Sequence, residues 1–305
     1  MLLVRIDPRD LPHRLLAWSR LVARLRSEYR AVHGRRLRLF RPRSYTEKMQ
    51  WRKAFDRNPA YPRILDKVAV RKRIERRAGA DLLVPVQWVG KRPIRIPFDE
   101  LKAPYVLKST HACGHVIMVD PDDEPDLPLI RRRARKWLTV DHSLHRAEWG
   151  YSKIPPRLVV ETRVGGQDPP LERRVFVFGG KAHVVNTVVT EDGRIRNAAF
   201  HDLGWNRLQW WFTREPLPGP WPRPDRLDAM IAAAEAVAAD LDHARVDFFD
   251  GGDQIWIGEV TLYSWSGLSK FSPAQADADL GAAWPLHRPV RRALRTILTR
   301  DPVGV

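Results

Sequence analysis

The chain has a single cysteine, Cys113, so an internal disulfide is excluded and any thiol chemistry rests on one sulfur. It has no apolar run near the roughly 18 residues that a membrane-spanning helix needs. The opening Met1-Leu-Leu-Val meets charge at once, unlike a secretory leader. With one cysteine and no leader pattern, the expectation is a cytoplasmic protein in a reducing compartment. Repeats and low-complexity linkers are missing, which excludes a solenoid. Acid is also scarce: 36 Asp and Glu stand against 53 Lys and Arg, a net charge of +17. Such a charge points to nucleic acid, an anionic membrane surface or an anionic substrate. Nucleic acid fits least, because the arginines are spread along the chain without a zinc-ligand set, an aromatic ribonucleoprotein motif or a heptad-plus-basic region.

What is present is a globular sequence of 305 residues, 44% hydrophobic, enough for one large or two ordinary domains. Its centre of organisation is residues 244–263. Two runs rich in β-branched and aromatic residues, 244–249 and 254–263, flank Asp250-Gly-Gly-Asp253, which predicts a β-hairpin. Alternation puts Arg245, Asp247 and Phe249 on one strand face and Glu259, Thr261 and Tyr263 on one face of the other. A three-residue turn, 251–253, would set Arg245 opposite Glu259 and Asp247 one diagonal step away; a four-residue turn breaks this by parity. Two carboxylates and a hydroxyl on one face either hold a divalent cation such as Mg²⁺ or form a solvated polar face with Arg245 neutralising one acid.

The remaining elements follow from periodicity. Residues 10–33 read as a basic amphipathic helix with Leu11, Leu15, Leu16, Trp18, Leu21, Val22 and Leu25 on its apolar side, fit either to pack on the body or to dock on an anionic membrane. Ser44 and Glu47 form a capping box that opens a short helix stopped by Pro59. Residues 62–78 read as one helix carrying Asp66-Lys67, and residues 82–89 as a strand. Residues 104–120 read as strand, small-residue loop, strand. Lys108 ends the first strand and the 109–115 loop holds one glycine, Gly114; a lysine beside such a loop suits phosphate. It is not a Walker loop, because the lysine precedes the loop and no helix follows. Residues 127–150 read as a basic helix and 157–164 as a strand interrupted by Glu161. Strands at 172–178 and 181–189 join through Gly179-Gly180. Residues 190–224 read as loop, 225–241 as an Ala-rich helix, 264–281 as loop and 286–300 as a basic helix. The order predicts an α+β fold with a cleft between two sheet-bearing lobes.

In order along the chain, Ser44-Tyr-Thr-Glu-Lys-Met-Gln-Trp51, Phe55-Asp-Arg-Asn-Pro59, Asp66-Lys-Val-Ala-Val-Arg71, Val106-Leu-Lys-Ser-Thr-His-Ala-Cys-Gly-His115, Val159-Val-Glu161, Phe176-Val-Phe-Gly-Gly-Lys181, Arg245-Val-Asp247 and Gly258-Glu-Val-Thr261 resemble the ATP-grasp amidoligases of the teichuronopeptide-biosynthesis (TupA-like) type. The resemblance covers roughly residues 38–281. It implies ATP held with Mg²⁺ between two α+β lobes. On that implication Lys67 and Lys108 contact phosphates and the loop with Ser109 and Gly114 closes over them. Glu161 begins the inter-lobe segment and the backbone from Thr162 to Val164 meets adenine. Asp247, Glu259 and Thr261 hold the metal, and Arg174 and Arg245 address the transferred phosphate or a substrate carboxylate. The implied divisions are a helical extension (1–40), an N-terminal subdomain (41–103), a small lobe (104–163), a large lobe with the hairpin (164–285) and a basic helix (286–305). The implied reaction joins a carboxylate to an amine or amino acid through an acylphosphate, on a cell-surface polysaccharide precursor or a small metabolite. Two departures stand out. The loop is poorer in glycine than is usual, and Phe178-Gly-Gly-Lys181 replaces the family's Phe-Asn-Gly-Lys.

Two other readings compete. A nucleotide-sugar transferase would use an Asp-X-Asp motif, for which Asp120-Pro-Asp122 and Asp277-Ala-Asp279 are formal matches. A basic polyanion-binding module would be indifferent to Asp247 and Glu259. His111 and His115 read as polar loop residues before catalysts, Cys113 as filler, and Trp210-Trp211 as packing or a groove wall.

Overall fold

A computed structural model describes residues 10–165, 171–191, 194–213 and 216–300. In chain order it runs α1 (Leu11–His33), α2 (Tyr45–Phe55), α3 (Tyr61–Leu65), α4 (Arg71–Ala78), β1 (Val86–Gly90), β2 (Tyr105–Ser109), β3 (Val116–Val119), α5 (Leu127–Trp137), α6 (His142–Arg146), β4 (Leu158–Thr162), β5 (Leu171–Phe178), β6 (Lys181–Glu191), β7 (Arg194–His201), β8 (Arg207–Leu208), β9 (Trp211–Phe212), α7 (Leu227–Ala238), β10 (His243–Asp250), β11 (Ile255–Thr261), β12 (Phe271–Ser272), α8 (Ala274–Ala283) and α9 (Pro289–Thr299).

Two antiparallel sheets carry the architecture. Four strands run in the order β1-β4-β2-β3 and six in the order β11-β10-β5-β6-β7-β8. The small sheet packs on α5 through Tyr105, Leu107, Val160 and Ile130. The large sheet packs on α7, whose small side chains Ala233, Ala234 and Ala238 let the helix lie close on Val175, Val177 and Val246. The turn between β5 and β6 has two residues, Gly179 (φ 55°) and Gly180 (φ 80°), the positive pair that matches strand twist. A third cluster joins α1, α2 and α9 around Trp18, Leu25, Trp51 and Ala293. So α1 buries Trp18, Leu21, Leu25 and Tyr29 against the body, while Leu15 and Leu16 stay exposed.

The capping box forms as expected. The Glu47 backbone N–H donates to Ser44 Oγ and the Ser44 N–H to Glu47 Oε2 at 3.3 Å. What the apolar pattern of α2 does not announce is that its polar side chains are buried too. Arg52 and Lys53 are both fully buried. Arg52 donates to the carbonyls of His243 (3.1 Å) and Leu262 (2.8 Å) and to Asp242 Oδ1 (2.5 Å), and it lies over the Trp284 ring at 4.4 Å. The α8 helix closes over the start of α2. Asp277 accepts the Thr46 N–H (2.8 Å) and hydroxyl (2.7 Å), and Lys48 donates to the carbonyls of Gly281 (2.7 Å) and Trp284 (2.6 Å). A Cβ on Gly281 would stand 2.3 Å from the Arg43 carbonyl oxygen, so this approach requires glycine.

Several segments differ from the periodicity reading. The helix expected over 62–78 breaks at Asp66, whose carboxylate accepts the N–H groups of Val68 (2.9 Å) and Ala69 (3.3 Å) and turns the chain. The basic segment 127–150 divides, because Asp141 caps a new helix by accepting from Ser143 N–H at 2.9 Å. Residues 194–201, read as loop, form β7 on the ladder of β6; the Asp192-Gly193 hairpin signal in the sequence was there to be used. Residues 274–283, also read as loop, form α8, where an Ala-rich run supplies helix propensity without an apolar stripe.

Replacing Arg52 with Ala would take the guanidinium from the Asp242 carboxylate, which keeps the Trp284 Nε1 and His243 N–H donors, and from two carbonyls. The expected cost is about 3–5 kcal/mol in denaturant unfolding, and Arg52→Lys, with one ammonium in place of a fork, should recover less than half. A loss within experimental error of zero would contradict the picture. Buried histidines set a second expectation. Burial drives His243 well below its usual range, and burial reinforced by nearby cations takes His142 and His201 down to about 4. Each takes up a proton on unfolding below pH 6.5 that the folded chain does not hold. Stability therefore falls as pH drops from 6.5 toward 4. Thermal unfolding across that window should show a declining midpoint; a flat profile would count against it.

Candidate functional site

The hairpin β10–β11 sets the site, and its register differs from the expected one. Asp250 pairs with Ile255, so the turn has four residues, 251–254, closed by Gly251 N–H to Gln254 O at 3.0 Å. By parity alone that would place Glu259 on the wrong face. A bulge corrects it: Phe248 pairs with Ile257 but Asp247 pairs with Glu259, leaving Gly258 as the extra residue. Asp247 and Glu259 therefore face each other directly, and Arg245 faces Thr261. Glycine is needed at the bulge because a Cβ on Gly258 would stand 2.6 Å from Phe249 Cε2.

On this face the charges are paired. Arg245, fully desolvated, donates Nε to Asp247 Oδ1 (2.7 Å) and Nη2 to Asp247 Oδ2 (2.6 Å), with Thr261 Oγ1 at 3.3 Å. Burial works against its cation, but Asp247 outweighs burial and the pKa rises. On the neighbouring strand Arg174 pairs in register with Asp247. It donates to Glu172 Oε2 at 3.0 and 2.8 Å and lies 4.0 Å from Asp247 Oδ2.

The opposing cations come from the small sheet (Lys108), the segment between α3 and α4 (Lys67) and the start of α4 (Arg71). Lys108 donates to Glu161 Oε2 at 2.8 Å, and its Nζ lies 5.7 Å from the centre of the Phe249 ring on the large sheet. Arg71 stands 3.7 Å from Glu161 Oε1; the sequence reading quoted it in a motif but assigned it nothing. The break at Asp66 turns Lys67 into the cleft. Its Nζ donates to the Ala112 carbonyl (2.9 Å) and lies 3.8 Å from Glu259 Oε1. Burial opposes the Lys67 ammonium, yet Glu259, Glu161 and Asp66 together raise its pKa. Asp66 itself is fixed by Arg157 Nη2 at 2.6 Å.

The loop after β2 is held inward. Ser109 Oγ meets His115 Nδ1 at 2.9 Å, His115 stacks on Trp137, and His111 Nε2 lies 3.1 Å from the Trp137 carbonyl. Both histidines thus serve the loop's shape. Gly114 takes φ 74° at the exposed tip. Cys113 is exposed as a residue, but its sulfur turns inward to the Tyr151 hydroxyl at 3.1 Å, and desolvation pushes the thiol up to about 11, away from nucleophilic use. At the inter-lobe segment the N–H of Thr162 bonds Pro85 O (2.9 Å) and that of Arg163 bonds Pro104 O (3.0 Å), so two of the three donors from 162 to Val164 are used within the small lobe. The formal Asp-X-Asp matches serve structure. Asp120 sits in a turn against Arg163, and Asp277 holds the start of α2 from within a helix. Trp210 packs on Phe200, and Trp211 begins β9.

One supporting feature has no sequence signal. Trp265, Ser266 and Gly267 all take positive φ (47°, 57° and 63°). Non-glycine residues there carry strain. From α2, Gln50 Nε2 donates to the carbonyls of Ser266 (2.8 Å) and Gly267 (3.1 Å), and Lys53 Nζ donates to Ser266 Oγ (3.0 Å). The pinned turn puts the Trp265 ring under the Arg245 guanidinium at 5.1 Å.

The two facing acids differ in what they support. Asp247 is buried and compensates a buried Arg245, whereas the Glu259 side chain is 30% exposed with one distant cation. Asp247→Asn should therefore destabilise by about 2–4 kcal/mol, whereas Glu259→Gln should stay within about 0.5 kcal/mol of wild type in denaturant unfolding. Equal losses would refute this division.

None of the curated proteins compared with the chain matches it. Similar solved structures include a D-alanine–D-alanine ligase from Bacillus anthracis (20% identity over 77% of this chain and 68% of that one, TM-score 0.43) and an L-amino acid ligase from Bacillus licheniformis (15%, 70% and 44%, 0.41). A third is the D-cycloserine synthetase DcsG (15%, 78% and 71%, 0.41). The chain spans less than half the length of the L-amino acid ligase. The TupA-like ATPgrasp family model matches residues 47–284, which takes in both sheets and every paired charge described above: the chain belongs to the TupA-like ATP-grasp family.

Proposed function

We propose that the protein is an ATP- and Mg²⁺-dependent carboxylate–amine ligase. The observation that carries this reading is the direct pairing of Asp247 with Glu259 on a sheet face that meets Lys108 from the small sheet and Lys67 from the segment between α3 and α4. Among the described residues no three His, Cys, Asp or Glu side chains cluster to enclose a metal. Two carboxylates with a nearby hydroxyl from Thr261 suit Mg²⁺, which takes one or two carboxylates and completes its shell with phosphate oxygens and water. When bound, Mg²⁺ neutralises phosphate oxygens and ATP supplies the phosphoryl group.

The chain's own residues then do the following. Lys108 and Lys67 exchange their carboxylate partners for phosphate oxygens. The 109–115 loop covers the phosphates and keeps water away. Val164 and the neighbouring backbone meet the adenine. Arg174 and Arg245 orient the substrate carboxylate, which attacks the γ-phosphorus as ADP departs. An amine then attacks the acyl carbon, phosphate leaves, and the amide is formed. Positioning and charge neutralisation supply most of the rate. The acid we assign is a carboxylate on a cell-surface polysaccharide precursor. In support, a cavity of about 730 Å³ beside the Gly267 turn is lined by Arg35, Arg38, Arg43, Lys48 and Lys270 against two acids, Glu47 and Asp277, both paired with Arg35, which leaves a cationic surplus for an anionic acceptor.

The test is thermal unfolding with a non-hydrolysable ATP analogue and Mg²⁺. Free nucleotide at about a hundred times its Kd adds about 2.7 kcal/mol. We expect stabilisation that needs Mg²⁺ and largely disappears in Glu259→Gln, followed by ADP release when acids and amines are screened together. Stabilisation by a sugar nucleotide but by no nucleoside triphosphate would move the protein to the transferase reading. Salt-sensitive polyanion binding unaffected by Glu259→Gln, with no nucleotide effect, would make it a binding module.

A further inference from the structure

The outer faces of α1 and α9 have no role in the cleft and an unusual composition. Both helices lean on one small core through Trp18, Leu21, Leu25 and Ala293. The α9 helix is fixed there by Trp51 Nε1 donating to Pro289 O at 3.2 Å and by Arg292 Nη2 reaching Asp56 Oδ1 at 3.2 Å. Turned outward on α9 are Val290, Leu294 and Leu298, one side chain per turn and 38, 53 and 47% exposed. On α1, Leu15 and Leu16 are 46 and 50% exposed. Exposed arginines accompany them: Arg291 and Arg295 alternate with the leucines of α9, and Arg26 and Arg30 lie further along α1. Glu28 is the single acid in the two helices, and Arg24 neutralises it at 2.9 Å.

Large aliphatic side chains held in water beside uncompensated cations match a surface that is apolar below and anionic above. We infer that the outer faces of α1 and α9 together dock on an anionic lipid bilayer, leucines in the headgroup–acyl boundary and arginines on the phosphates. A nucleic acid would take the arginines but gain nothing from five exposed aliphatic side chains. A second copy of this face would bring arginine against arginine. No helix of the described residues is long and apolar enough to cross a membrane, so the contact is in plane. The inference is independent of the ligase reading, since the docking face contains none of the cleft residues.

Co-sedimentation of the full chain with vesicles tests it. Phosphatidylcholine vesicles containing phosphatidylglycerol should bind the chain and pure phosphatidylcholine should not. Each arginine near the surface contributes about a fivefold gain in partitioning, so Arg291→Gln with Arg295→Gln should weaken binding by an order of magnitude. Leu294→Asp with Leu298→Asp should weaken it at least as much, and Leu15→Ser with Leu16→Ser gives an independent check on the other helix. Thermal unfolding without ligand confirms that the variants fold. Absence of binding to the anionic vesicles overturns the inference. So does binding that both leucine pairs leave unchanged, which would reduce it to diffuse attraction by a basic protein. A dimer in light scattering that the leucine variants dissociate would assign the face to a second copy instead.

Discussion

A single buried guanidinium ties the β10–β11 hairpin to α2. Arg52 sends one nitrogen to carbonyls at the start of β10 and just past the end of β11, and another to Asp242 on the turn before them. Those two strands carry Asp247 and Glu259, so the spacing of the acids is fixed from behind by α2. The same helix pins the left-handed turn under Arg245 through Gln50 and Lys53. In its turn α2 is clamped at its start by Asp277 and Lys48 against α8. Desolvating so many charges is costly unless every partner is in place, so the interior around α2 is specified by hydrogen bonding more than by shape.

This is also where the sequence was hardest to read. Binary patterning treats polar residues as outward, and α2 shows polar residues inside because their partners are remote in sequence. Arg52 finds its oxygens 190 and more residues away, a relation that no local period carries. Features with local causes were legible: the capping box at Ser44 and Glu47, the Gly179-Gly180 turn, the strand–loop–strand around Lys108, and the hairpin itself. The hairpin's register was not. The expected three-residue turn and the observed four-residue turn with a bulge at Gly258 both put Asp247 and Glu259 on one face, but only the second pairs them directly. A glycine in a strand is the general mark of a bulge, and Gly258 beside Glu259 was that mark. The broken helix at Asp66 is similar: an Asp that bonds the N–H groups two and three residues on competes with helix, and here it aims Lys67.

The ordered motifs carried the family, because the short stretches from Ser44 to Thr261 follow one another in the order the resemblance expects. The family match does not reach α1 or α9, which lie outside residues 47–284. In both helices exposed leucines occur on the same helix as exposed arginines.

The cleft's own electrostatics argue for an exchange of partners on binding. Five cations stand against four carboxylates: Lys108 and Arg71 with Glu161, Lys67 with Glu259, Arg174 with Glu172, and Arg245 with Asp247. Left as they are, these groups largely neutralise one another. Metal-bound nucleotide brings both signs at once. In the proposed reading the carboxylates turn to the metal and the lysines to the phosphates, so each charge replaces one partner by another of the same sign. An exchange of that kind keeps the buried charge balanced throughout, which either ligand alone would not. Nucleotide without metal would leave phosphates facing Asp247 and Glu259, and metal without nucleotide would add charge beside Lys67 and Arg245. In that reading the pairing would make joint binding of nucleotide and metal more favourable than the sum of their separate bindings.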